Sequence, residues 1–155
     1  AACAGGGDGD AGGASWVADI EAAIDAVDAE RGVAQQYFEV TANPQLTNVF
    51  VAVDDATAAV PYVFVDGELQ PPAPRLEGAS GFTFGATDVD IDESRVLSQV
   101  EAEVPGASIV ALSVEGGSVE SGSAVRYVVS AQSDRGGFLD ITVSGDGRIL
   151  AVDPL

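Results

Sequence analysis

Two stretches carry the clearest structural signal: Val63-Phe64-Val65-Asp66-Gly67-Glu68-Leu69 and Ile141-Thr142-Val143-Ser144-Gly145-Asp146-Gly147-Arg148-Ile149. Each carries apolar, strand-forming residues into a glycine-bearing turn and out again. Asp-Gly between apolar runs supplies residues that tolerate positive φ, which a tight hairpin requires. Each stretch therefore predicts an antiparallel strand pair. Upstream of the first lie two more strand candidates, Tyr37–Thr41 and Asn48–Val53, punctuated by Asn43-Pro44 and Asp54-Asp55. Pro71-Pro72-Ala73-Pro74 follows Glu68-Leu69-Gln70 and is expected to break the sheet, because proline cannot donate to a ladder. Upstream of the second hairpin, Ser108–Val114 and Val125–Ala131 read as strands, followed by Phe138–Val143 and Arg148–Val152.

A helix is expected ahead of each strand group. Across Ser15 to Arg31, Trp16, Ile20, Ile24 and Val27 fall on one helical face, with Ser15 as N-cap and Arg31-Gly32 as the stop. Asp90 to Glu93 is a capping pattern. Val96, Leu97, Val100 and Val104 make the following stripe, and Pro105-Gly106 ends it. Cap and hairpin glycine are similarly spaced in both halves, Ser15 to Gly67 and Asp90 to Gly145. The expectation is an α+β protein of two tandem units, each one helix packed on a 3–4 stranded antiparallel sheet. The units cover 15–76 and 90–155, joined by a linker over 77–89, where Phe82 and Phe84 form an edge strand or plug the junction.

The 155 residues hold six basic and 25 acidic side chains, a net charge of −19, with no His and one Cys. All six basic residues are arginine. Without imidazole or a lysine amine, Ser-His-Asp, Cys-His, Ser-Lys, Schiff-base and P-loop chemistries are closed. One Cys and no His exclude an ordinary structural zinc site. Nucleic acid is a poor partner, since binding it relies on cations that neutralise phosphate. No apolar run approaches the roughly 20 residues of a membrane span. No cofactor is expected, and the chain reads as a binding protein rather than an enzyme. Its Ala- and Gly-rich, Lys-free usage fits a high-GC actinobacterium or a halophile.

The first fourteen residues, Ala1-Ala2-Cys3 followed by a Gly/Asp run, are expected to be a flexible tether, too poor in apolar surface to offset ordering entropy. The absence of an initial Met suggests a processed or trimmed start. Ala-Ala-Cys before a glycine-rich run resembles the mature end of a prokaryotic lipoprotein. That resemblance implies a lipid on Cys3, a cell-envelope location outside the cytoplasm, and membrane contact through the lipid only. A single Cys also excludes an intrachain disulfide.

The second half resembles a PepSY domain. The matching residues are Val110-Ala111-Leu112-Ser113-Val114, Arg126-Tyr127-Val128-Val129, Leu139-Asp140-Ile141-Thr142-Val143 and Gly145-Asp146-Gly147-Arg148-Ile149-Leu150. The family implies an extracytoplasmic module with binding or inhibitory roles and no catalytic residues to carry over. The layout of two helix-plus-sheet repeats is also similar to beta-lactamase inhibitor proteins, although the disulfides typical of those inhibitors cannot form here.

Few residues are candidates for chemistry. Asp88, Asp90 and Asp92 alternate as calcium ligands do, but the rest of that loop template fails, with Glu93 where Gly belongs and Gln99 where Glu belongs. Asp54-Asp55 reads as a polar turn, Asp25 and Asp28 as an exposed helix face, and Ser80, Ser121 and Ser123 as turn residues. Trp16, Tyr37, Phe38, Tyr62 and Tyr127 read as core. Strand alternation puts Arg126 and Ser130 on the polar face of one strand and Asp140 and Thr142 on that of the next. This polar sheet face is the expected surface for a protein partner. The function expected is a lipid-anchored binding or regulatory protein, inhibiting or escorting a secreted enzyme. An accessory subunit of an envelope complex is the alternative, and a calcium-dependent or carboxylate hydrolase a third.

Overall fold

The computed structural model describes residues 16–118 and 122–155. Helix α1 (Asp19–Arg31) follows a turn over 16–18 and buries Ile20, Ala23, Ile24 and Val27. It stops at Gly32, whose φ of +74° suits a residue without Cβ. The expected cap, Ser15, lies outside the described residues. Ala18 holds the cap position and has no side-chain acceptor to offer.

Strands β1 (Gln36–Ala42), β2 (Thr47–Val53) and β3 (Ala58–Val65) form a meander, and β4 (Glu68–Leu69) returns through the Asp66-Gly67 turn. Next come β5 (Leu76–Glu77), β6 (Phe84–Gly85) and a 3₁₀ turn over 86–88. Helix α2 (Glu93–Glu103) is capped by the Asp92 carboxylate, which accepts the Arg95 N–H at 3.0 Å. A second meander completes the described chain: β7 (Ala107–Gly116), β8 (Val125–Ser133), β9 (Phe138–Val143) and β10 (Ile149–Pro154).

The architecture is mainly β, and the expectation of two tandem α+β units is overturned. Among the described residues ten strands make one antiparallel sheet, with the main order β10-β9-β8-β7-β1-β2-β3-β4. A single pairing merges the meanders: β1 runs antiparallel to β7, with Glu39 opposite Glu115 and Ala42 opposite Leu112. Alternation within each strand was legible, but the free edges of β1 and β7 carry no side-chain mark that says they pair. The buried row Tyr62, Val49, Val40, Val114, Tyr127 and Val143 runs straight across that seam and ends on the half-buried Ile149. Those residues form one cluster with Ile20 and Val27 of α1 and Val96 and Val100 of α2. Both helices therefore cover the same face, leaving the other without a helix among the described residues.

Residues 77–89, expected as a linker, are stitched into the sheet. Leu76 and Glu77 pair with β3. Phe84 and Gly85 pair with Tyr37 and Gln36 of β1, beyond the point where β1 leaves β7. Phe84 is fully buried, its ring 5.8 Å from that of Tyr37, so it plugs the junction; Phe82 stays exposed. Pro71-Pro72-Ala73-Pro74 does not end the sheet. Gln70 and Ala73 donate their N–H groups to Val63 and Pro61 at 2.8 and 2.9 Å. The prolines occur on the outermost run, where a missing donor is tolerated and discourages a further strand.

Thr47 is fully buried and its hydroxyl has no partner among the described residues. An unsatisfied buried hydroxyl costs on the order of 1–3 kcal/mol. Thr47→Val keeps the β-branched shape and removes that cost. It is expected to raise the melting temperature by about 3 °C, measured by thermal unfolding monitored by circular dichroism.

Candidate partner surface

The helix-free face of the sheet gathers the polar residues expected for partner contact. Register places Val63, Asn48, Thr41, Ser113, Val128, Thr142 and Ala151 in one row across it. The neighbouring row contains Phe50, Glu39, Glu115 and Arg126. Arg126, Ser130, Asp140 and Thr142 thus share one face of β8 and β9, with Ser130 directly opposite Asp140.

Hydrogen bonds fix much of this surface. Ser130 donates to the Asp140 carboxylate at 2.8 Å. Thr41 donates to Glu39 at 2.5 Å and lies 2.7 Å from the Ser113 hydroxyl, across the seam. Arg126 reaches one Glu115 oxygen through Nε and Nη2 at 3.1 and 2.5 Å. That pair is solvent-exposed on the arginine side, so its role is to set side-chain direction more than stability. At one end the segment 78–83 passes over this face. Gly81 lies close to Phe38, and Ala79 and Ser80 line a groove of about 320 Å³ with Phe38 and Phe50. Beyond the crossing a second groove, about 620 Å³, is lined by Phe82, Arg126, Thr142, Arg148 and Leu150. Phe38, expected in the core, is only half-buried; Trp16, Tyr37, Tyr62 and Tyr127 are buried.

The acidic run lies elsewhere. Asp88 accepts the Gly85 N–H at 2.7 Å, and Asp92 caps α2. Asp90 donates its backbone N–H to the Tyr127 hydroxyl at 2.8 Å. Two of the three carboxylates are thus committed to their own turns. No group of three His, Cys, Asp or Glu side chains is placed to hold a metal among the described residues. Burial raises the Tyr127 hydroxyl above its ordinary range, against the lowering effect of that Asp90 N–H. Asp54 caps no chemistry either: it pairs with Arg75, which also reaches Glu77.

Asp28, expected on an exposed helix face, is half-buried and carries a structural role. Its carboxylate accepts the Tyr37 hydroxyl at 2.5 Å and the Gln35 N–H at 2.8 Å, tying α1 to β1. Burial, then the Asp28 carboxylate, holds the Tyr37 hydroxyl far above its ordinary value. No sequence pattern marks that bond, because it spans the turn between two elements.

Glu93 opens α2 beside other negative charges. Burial raises its carboxyl first, and Glu21, Asp19 and Asp92 raise it further. A carboxyl raised on folding binds its proton more tightly in the native state. Native stability therefore falls as pH rises from the ordinary glutamate value through the raised one. Glu93→Gln is expected to raise the melting temperature by about 2 °C at neutral pH, with the gain vanishing below the ordinary carboxyl range. A pH series of thermal melts checks both sign and window.

No protein-family model and no curated protein matches the chain, so the PepSY resemblance gains no support from them. A solved structure is similar: a "putative lipoprotein" from Clostridium difficile 630, 14% identical, with a TM-score of 0.60. The match covers 86% of this chain and 90% of that one. At that identity the likeness is one of fold. Cys3 lies outside the described residues, as does Ser121. Among the described residues no helix is long and apolar enough to cross a membrane.

Proposed function

We propose that this chain is an extracytoplasmic, lipid-anchored binding protein that holds a protein partner against the helix-free face of its sheet. One observation carries the reading. A wide antiparallel sheet has both helices on one side, and its other side presents Arg126, Ser130, Asp140 and Thr142 together, with grooves at the segment 78–83. A rigid sheet with polar side chains locked by cross-strand bonds is preorganised, which limits the ordering cost of association. The finer role is to restrain or escort a secreted enzyme. Cys3 as the lipid attachment point rests on the Ala1-Ala2-Cys3 motif before the Gly/Asp run and on the fold shared with a protein described as a "putative lipoprotein".

The test has two arms. Cys3→Ser is expected to move the chain from the membrane fraction to the soluble fraction and to remove the lipid mass. An affinity pull-down from the native envelope is then repeated with Arg126→Glu combined with Thr142→Arg. Loss of a partner by that folded variant supports the surface; a partner retained unchanged, or none recovered with the parent chain, refutes it.

A further inference from the structure

We propose that β10 is the contact through which a second copy of this chain joins the sheet, edge to edge and antiparallel. This inference does not rest on the partner surface of the helix-free face.

The two outer edges of the sheet differ. Outside β3 runs the proline-bearing segment, with Glu68, Arg75 and Glu77 around it, a combination that blocks a further strand. At the opposite edge, β10 pairs with β9 alone among the described residues. The Leu155 N–H bonds to Phe138 O at 2.9 Å, which fixes the inward-facing residues; alternation then turns the Val152 N–H outward. Pro154 also faces outward, where its missing donor removes only one bond. Leu150 and Val152 are 55% and 46% exposed on this strand. A groove of about 660 Å³ runs between β10 and α2, lined by the apolar Val104, Ile149 and Val152 and by the charged Arg95, Arg148, Glu103 and Asp146. Its apolar part, Val104, Ile149 and Val152, offers room for an apolar side chain of an incoming strand.

Charge selects the occupant. Arg148 precedes β10 and Asp153 lies near its end. Antiparallel pairing about a two-fold axis brings the Arg148 end of each copy to the Asp153 end of the other, the self-complementarity that an isologous contact needs. Within one copy, Asp153 faces Asp140 across the β9–β10 pair, an unfavourable like-charge neighbour. The ion pairs found among the described residues belong to Arg75 and Arg126; Arg148 is in none of them, its charge acting within its own copy on the neighbouring Asp146. A guanidinium from a second copy would offset the Asp140–Asp153 repulsion.

The net charge of −19 on each copy opposes the contact at long range. Salt shortens that repulsion from about 10 Å at 0.1 M to about 3 Å at 1 M. The test is sedimentation equilibrium of the unlipidated full chain under reducing conditions, which excludes a Cys3 disulfide. A concentration-dependent dimer is expected, with its dissociation constant falling at least about tenfold between low and 1 M salt. Val152→Pro, placed where the N–H faces outward, should abolish the dimer while the melting temperature stays near the parent value. Asp153→Arg should weaken it, and adding Arg148→Asp should restore it. A chain that stays monomeric at about millimolar concentration in 1 M salt overturns the proposal. So does a dimer indifferent to Val152→Pro and to the charge reversals. An edge that takes only a strand from a different protein would give the monomeric result.

Discussion

Phe84→Ala is expected to lower the melting temperature by roughly 10 °C, the largest effect of any single truncation proposed for this chain. Phe84 is fully buried where β1 parts from β7, and its ring rests against Tyr37. Removing the ring deletes buried apolar surface and leaves a cavity, at a combined cost of about 3–5 kcal/mol for Phe→Ala in a packed core. The site cannot collapse easily. Gly116, the last residue of β7, is already so close to Phe82 O that an added Cβ would lie 2.0 Å from it. The backbone on that side has no room to move inward. Phe84→Leu should recover about half of the loss, since it refills part of the volume. Thermal or urea unfolding measures both variants. A loss under about 1 kcal/mol for Phe84→Ala would show that the seam does not depend on this plug.

Gly145→Ala should cost about 2–4 kcal/mol, although alanine usually stabilises a chain by reducing unfolded-state entropy. A Cβ at Gly145 would lie 2.1 Å from Asp90 O, a backbone atom that cannot rotate away. The same contact holds the Asp92 N–H on Gly145 O at 2.9 Å. Displacing one strand therefore breaks a hydrogen bond and disturbs the Asp92 cap of α2 together. Amide hydrogen exchange should show lost protection at Asp92 and in the first turn of α2, with the β1–β3 meander unchanged. Uniform loss of protection throughout the sheet would contradict this local account.

Local patterns revealed most elements because they depend on neighbours in the chain. The stripe Ile20, Ile24 and Val27 placed α1, and the Asp-Gly turn placed β3 and β4. The Arg126, Ser130, Asp140 and Thr142 surface was legible too, because strand alternation and a hairpin register are local. What stayed hidden was long-range. Nothing in Glu39–Ala42 or Leu112–Glu115 indicates mutual pairing, and backbone groups, which are the same for every residue, make that contact. Pro71 to Pro74 stay at the sheet for a related reason: proline forbids a central position in a sheet but permits the outermost one. The Gly145–Asp90 contact resembles an ordinary turn glycine in the sequence. Its need for space appears only when α2 is docked.

The pairing of β1 with β7 also sets the order of events in folding. Hairpins within each meander join residues a few positions apart, whereas Thr41 and Ser113 must meet across 72 positions of chain. Closing so long a loop is entropically costly before any contact rewards it, so the seam is expected to form last and to limit the folding rate. Until then, two half-sheets each present an unpaired inner edge, backed by apolar faces that are not yet shared. A newly made copy is most exposed to mispairing in that interval, and its strong negative charge keeps neighbouring copies apart while the seam closes.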